Sequence, residues 1–380
     1  MKRAMIFELK KLCKEKFLWV SAVLLLALNC FYIEKYYKEP VIEGYERVLE
    51  DYSGPITTEK ARAVKRIADS LKDTARARTF SREFDEKLYT GYEETEYTVF
   101  TEIYDEMRRR YLYSEFAKEK KNACEKIAVR ADNIGNKEVM SLNLKMADRL
   151  DGRAVSDFYD TKAFEKSMEW NIDTFGAAVL AGVAVFLLFF REDSGNMEAW
   201  FKLSAFSSAK IFAAKKCAVL IVGFGILAVV KLVSLAVFGC FAYPGLFFSK
   251  LYSVQNFGTS MFSGNILMFM LFKFLVEALF LTAVVNLFFV VQMIQPYINV
   301  AALLSGFALF AFVIVSRFFC LWATPACALA FYIIAKAPNP VLGLFGYEAV
   351  ILAALVWSIL LDLLFAIISR RKKNVCNDWV

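Results

Sequence analysis

The sequence contains no histidine among its 380 residues. That removes the commonest metal ligand and the usual general base near neutral pH, leaving carboxylate and thiolate chemistry open. It also contains no Gly-x-x-x-x-Gly-Lys-Ser/Thr loop and no Gly-x-Gly-x-x-Gly turn, so the chain lacks the backbone cradles with which a protein holds nucleotide phosphates by itself. Of eight cysteines only Cys124 falls within residues 34–172; no disulfide can close inside that stretch, which must fold by packing alone. Cys320 and Cys327 are close enough to meet in a loop or to stay buried as inert thiols. Long apolar runs are also missing from 34–172, although they stand on either side of it.

What is present is apolar surface in excess. The chain is 58% apolar and 16% aromatic, with 37 Phe, too rich for soluble domains of this length and expected of a protein that faces lipid. Charge divides the same way. Residues 34–170 carry 26 Lys/Arg against 29 Asp/Glu, net −3, and the remainder is net +10. The excess basic residues flank apolar runs instead of striping a soluble helix, which marks cytoplasmic membrane flanks and excludes nucleic acid as a partner.

The reading along the chain is an all-α integral membrane protein with six transmembrane helices, an N-terminal interfacial helix and a helical extracellular domain between spans one and two. Residues 1–16 place Met5, Leu9 and Leu12 on one helical face and Lys2, Lys10 and Lys14 on the other, an amphipathic helix for the cytoplasmic interface. Residues 17–33 form the first span. Leu28-Asn29-Cys30 is a poor lipoprotein cleavage site and no Ala-x-Ala follows, so the span is expected to be retained. Residues 34–172 repeat apolar positions at helical spacing, as in Ala61, Val64, Ile67, Ala68 and Leu71 or Val99, Ile103 and Met107. Gly54-Pro55 and the stretch from Asn133 to Asn136 punctuate them, giving three or four helices, the last near 155–172.

Five further runs, near 173–190, 215–243, 264–291, 298–316 and 347–369, are each long enough to cross a hydrocarbon core of about 30 Å. They make residues 173–373 the transmembrane domain of spans two to six, with an inward loop at 191–214, a hairpin at 318–340 and a tail at 374–380. Phe318 to Ala335 is nearly long enough to cross as well. A full crossing would export the Arg370-Arg371-Lys372-Lys373 cluster against the positive-inside tendency, so this stretch is read as a re-entrant or outward hairpin broken at Pro325. Both termini are then cytoplasmic, in a multi-pass protein of a bacterial plasma membrane.

Three ionisable residues lie well inside the spans: Lys231, Lys273 and Glu277. Each costs at least about 2.5 kcal/mol at the bilayer centre on insertion scales. Lys273 and Glu277 stand four apart on one helix face. At 1.5 Å per residue Lys231 and Glu277 come to similar depths, roughly 20–25 Å from the cytoplasmic side, so a contact between helices is allowed. Two readings stand: a polar translocation path or outward gate, and a buried structural pair. Asp362, the one aspartate well inside an apolar span, sits near the cytoplasmic end. A single aspartate without Ser/His or a second Asp is no protease site, and nothing in the chain marks an enzyme.

The segment from Phe190 through Lys215 carries the main functional pointer. Glu192 and Gly195 form a short acidic, glycine-containing stretch. The apolar patch of Trp200, Phe201 and Leu203 follows, then Phe206, Ser207 and the basic Lys210 and Lys215. On these residues the chain resembles the ABC-2-type transporter permeases, in which such a segment follows the second span. It departs from many members in having Trp200-Phe201-Lys202-Leu203-Ser204-Ala205 where they carry Leu-Leu-x-x-Pro. The resemblance extends to the interfacial helix, the six spans and the outward hairpin, and leaves the polar domain unaccounted for.

The resemblance implies the permease subunit of an ATP-driven exporter, working with a cytoplasmic ABC ATPase subunit dimer and with a second permease copy or a related permease, among membrane lipids. This chain would hold no cofactor, and ATP and magnesium would be bound by the ATPase. Glu192, Gly195, Trp200, Phe201, Leu203, Phe206 and Lys210 would form the coupling loop, aromatic anchors inside a polar rim. The alternative for this loop is an amphipathic helix at headgroup depth. The alternative for the whole protein is a non-transporting sensor or immunity protein whose outer domain binds a peptide.

Overall fold

The computed structural model describes residues 2–37, 51–80, 92–194, 208–295, 297–318, 325–336 and 346–377. Helix α1 (Lys2–Lys14) turns through Glu15 into α2 (Lys16–Tyr32), which tightens into a π-helical turn at Ile33–Tyr37. The amphipathic pattern of α1 is realised as expected. Leu12 is fully buried, Met5 and Leu9 are half-buried, and Lys2, Lys10 and Lys14 face outward. The inward face rests on α9 (Ser208–Val237) and touches α8 (Ile172–Ser194).

Among the described residues two helical hairpins make up most of the polar domain. The first pairs α3 (Thr58–Phe80) with α4 (Tyr92–Tyr111), and the second pairs α5 (Tyr113–Asn133) with α6 (Lys137–Leu150). The turn between α5 and α6 is written in the sequence. Gly135 takes φ +73°, the Asn136 amide returns to the Ala131 carbonyl at 2.9 Å, and the Asn136 side chain caps α6 by accepting from the Val139 amide at 3.1 Å. The expected last helix over 155–172 is a correction. Asp157–Phe158 (β2) pairs antiparallel with Gly54–Pro55 (β1), and only α7 (Lys162–Glu169) is helical before α8 begins. A two-residue ribbon has no periodicity to betray it, and Phe158, buried with Val64, Ile103 and Met107, is what holds it in place.

In the apolar half, α8, α9 and α10 (Ile266–Ile294) pack with α13 (Gly346–Asn377) around a phenylalanine-rich core that includes Phe257, Phe269, Phe280 and Phe289. The helix expected to run to 243 ends at Val237. Gly239 adopts φ +80° and the Cys240 amide closes on the Leu235 carbonyl at 3.0 Å, a left-handed cap that only glycine makes without strain. Among the described residues five helices are long and apolar enough to cross a membrane, and a sixth, α11 (Ile298–Phe318), has a shorter apolar stretch over Asn299–Ile314. The chain is thus a predominantly helical, multi-pass membrane protein. Its outward faces agree: Val20 and Val23 on α2, Leu303 and Phe307 on α11, and Ile359 and Leu363 on α13 are all exposed, a surface that needs lipid to cover it.

Within 318–340, residues Pro325–Ala330 form a 3₁₀ turn and Phe331–Lys336 (α12) a helix of six residues. Its backbone caps the ends of other elements: Ser260 donates to the Ala335 carbonyl at 2.7 Å and Asn171 to the Leu329 carbonyl at 2.8 Å. No spanning helix exists among its described residues, and Cys327 is buried; Cys320 lies outside them.

Glycines set how closely the long helices approach. A Cβ on Gly182 would sit 2.5 Å from Cε1 of Phe288, so α8 and α10 meet there through a missing side chain. Gly182→Val is expected to cost about 1–3 kcal/mol by overpacking. The measurement is the melting temperature of the detergent-purified protein; an unshifted melt would mean that α8 and α10 are not so close.

Candidate functional site

The intramembrane residues singled out from sequence converge in the structure. Lys273 and Glu277 sit one turn apart on α10, with Nζ to Oε1 at 2.6 Å. Lys231 reaches across from α9 to the same Glu277 oxygen at 2.9 Å. It also meets Asp173 Oδ1, in the first turn of α8, at 2.9 Å. The result is two ammonium groups and two carboxylates, formally neutral. The side chains of Asp173, Lys273 and Glu277 are at most 4% exposed and that of Lys231 is 15%. Charge balance is what makes such a cluster tolerable, because an isolated ion there would be desolvated without compensation.

Neutral groups complete the coordination. Lys273 also donates to Asn171 Oδ1 at 3.3 Å and to the Trp170 carbonyl at 3.4 Å. Asp173 accepts from the Thr174 amide at 2.7 Å, at the positive end of α8 where a carboxylate is favoured. Alongside, Trp170 donates through Nε1 to Asn29 Oδ1 at 2.8 Å, and Asn29 donates to Ser234 Oγ at 2.7 Å. Asn29 belongs to α2, Trp170 and Asn171 precede α8, and Ser234 lies one turn beyond Lys231. The network therefore ties α2, α8, α9, α10 and the turn at 325–330 together at the end of the bundle nearest the polar domain. Chemically it is a closed clamp. Its charged donors and acceptors are spent on each other and on neighbouring polar groups.

Sequence reasoning missed Asp173, Asn171, Trp170 and Asn29 as members. Asp173 stands at the expected membrane boundary, where an acidic residue reads as an ordinary flank. The usable signal was the excess of lysine: Lys231 and Lys273 against Glu277 alone leave one buried positive charge unmatched.

A second cluster occupies the opposite end. Lys216 pairs with Asp362, which also accepts from Asn286 Nδ2 at 2.8 Å, joining α9, α13 and α10. Asn286 Oδ1 is buried with no partner among the described residues. Lys215, buried, stacks its ammonium 4.8 Å from the Phe189 ring and 5.6 Å from that of Phe212. Two of the residues expected in the coupling loop fall at this end. Glu192 lies in the last turns of α8 and Lys210 is exposed in the first turn of α9. Gly195, Trp200, Phe201, Leu203 and Phe206 lie outside the described residues. Among the described residues no group of three or more Cys, Asp or Glu is placed to hold a metal ion.

Comparison with known proteins gives no relative: no family model, no curated protein and no solved structure matches this chain.

Proposed function

We propose that this chain is the membrane-spanning permease subunit of an ATP-driven exporter that moves a peptide, lipid or hydrophobic compound outward with energy from a separate cytoplasmic ATPase. In this reading α2, α8, α9, α10, α11 and α13 are six spans, the polar domain is extracellular and both termini are cytoplasmic. The observation that carries it is the bracing of α9, and with it α8, by the amphipathic α1. That packing makes a firm footing for the segment joining α8 to α9, where a force applied by an ATPase would reach the spans. At the far end, the clamp of Asp173, Lys231, Lys273 and Glu277 would keep the outward side closed until those helices move. Rocking of the halves of a permease dimer would then alternate access to the path between them.

Vanadate-sensitive ATP turnover, when the chain is reconstituted with the ATPase that accompanies it, is the expected result. A chain that binds a peptide through the polar domain yet supports no ATP turnover would instead be a sensor or immunity protein. The topology is tested separately. In a cysteine-free background, Ser141→Cys is expected to react with an impermeant maleimide in intact cells, and Lys210→Cys only after permeabilisation. The opposite labelling would invert the arrangement.

A further inference from the structure

A cavity of about 660 Å³ opens where the polar domain meets the loop between α9 and α10. One wall is the corner between α4 and α5, with Arg108, Arg109, Tyr113 and Phe116; the other is the loop 252–259, with Tyr252 and Val254. Its size lies in the range of about 300–1,000 Å³ typical of small-molecule sites. The floor is aromatic and rigid. Tyr113 and Tyr252 stack with centroids 5.2 Å apart and planes 6° from parallel, and Phe116 leans on Tyr113 at 5.9 Å. Both tyrosine hydroxyls are fixed by backbone carbonyls, Tyr113 donating to Gly258 at 2.6 Å and Tyr252 to Ala154 at 3.2 Å. Burial pushes the Tyr113 phenol above its ordinary range, which keeps it neutral.

Arginines cluster around this floor. Arg153 lies behind it, 6% exposed, with its guanidinium 4.8 Å from the Tyr252 ring centroid. Its Nε donates to the Arg149 carbonyl at 2.6 Å and its Nη1 to the Ser260 carbonyl at 2.7 Å, the Tyr113 hydroxyl lies within its reach, and its Nη2 is buried with no hydrogen-bond partner among the described residues. A buried guanidinium without a carboxylate is uncommon, since its charge is normally compensated. At the rim, Glu106 is occupied by Arg110 at 3.2 Å, whose guanidinium sits over Phe158 at 4.8 Å. The cavity lining carries Arg108, Arg109 and Arg110 against Asp105 and Glu106; Asp160 and Glu165 also act on Arg110, Arg109 Nε donates to the Asp105 carbonyl at 3.2 Å, and Arg108 and Arg109 are exposed.

We propose that this cavity is a binding site for a small amphiphilic organic anion, whose apolar body rests on the Tyr113, Phe116 and Tyr252 surface while its carboxylate or phosphate pairs with Arg108 and Arg109 in the field of Arg153. Guanidinium groups bind such anions through charge-assisted, often bidentate, bonds. The inference does not rest on the exporter reading and stands whichever way the ATP-turnover experiment falls. The anionic group has two natural sources, a peptide C-terminus and a phospholipid head, and the experiment separates them.

The full chain, purified in a neutral maltoside detergent, is titrated calorimetrically with N-acetyl-Leu-Phe and its C-terminal amide, and with dihexanoyl phosphatidylglycerol and dihexanoyl phosphatidylcholine. Saturable binding of the anionic member of at least one pair is expected, weakened about tenfold or more in the neutral member and in R108Q/R109Q. Both arginines are exposed, so the double variant is expected to melt like the wild type. Charge selectivity in the first pair alone assigns a peptide carboxylate, and in the second alone a lipid phosphate. No saturable binding in either pair, equal binding within each pair, or binding indifferent to R108Q/R109Q in a protein of unchanged melting temperature overturns the proposal.

Discussion

Glu277→Gln is expected to be the most damaging single substitution in the membrane half, costing about 3–5 kcal/mol. The Glu277 carboxylate accepts from Lys231 at 2.9 Å and Lys273 at 2.6 Å, so its neutralisation leaves two ammonium groups facing Asp173 alone. Lys273 is buried and Lys231 only 15% exposed, and the glutamine adds a donor among donors. The decisive comparison is with the K231M/E277Q double variant, which removes one charge of each sign and leaves Lys273 with Asp173. Most of the lost stability is expected to return in the double variant, read from the melting temperature and the yield of monodisperse protein. If E277Q and K231M/E277Q melt alike, the charges are not coupled. The same pair of proteins divides the clamp's two readings. Restored stability with lost transport makes it a gate, and restored stability with normal transport leaves it a structural tie.

Phe269→Ala is expected to cost about 3–5 kcal/mol by a different route. Phe269 is fully buried in the first turn of α10. Its ring meets Phe257 at 5.1 Å, Phe262 at 5.6 Å and Phe331 at 5.3 Å. Those three belong to the α9–α10 loop and to α12, so one side chain glues the spanning bundle to the segments that cap it. Truncation opens a cavity where aromatic contacts supply packing that water exclusion supplies elsewhere. Phe269→Leu, which keeps most of the volume, is expected to retain more than half of the lost stability. Thermal unfolding of the two variants checks this, and equal melting temperatures for wild type and F269A would show that the capping segments are held by other contacts.

The degree to which this architecture can be read from sequence varies by element, for physical reasons. Long apolar helices announce themselves, and α1 places Met5, Leu9 and Leu12 inward as its periodicity demands. The turn at Gly135-Asn136 is equally legible, because a left-handed residue followed by a capping asparagine has few other uses. Lys231, Lys273 and Glu277 are conspicuous because a charge in an apolar run is costly. Their partner Asp173 is hidden at a helix start, where acidic residues are commonplace. The stop at Gly239 was overrun because the apolar composition continues through Phe241 while the backbone has already turned. The ribbon of Gly54–Pro55 with Asp157–Phe158 and the arginine-lined cavity are made by segments about 100 or more positions apart, a juxtaposition that local patterns do not encode. The segment from Gly195 to Ser207 lies outside the described residues.

The proposal that this chain is an exporter subunit meets its most direct test in purification from its native membrane in mild detergent. The account predicts that an ABC-type ATPase co-purifies in stoichiometric amount, and that it is lost from W200A/F201A while the permease itself remains folded and in normal yield. Wild-type protein that purifies without any ATPase, or an ATPase retained undiminished by W200A/F201A, would contradict it.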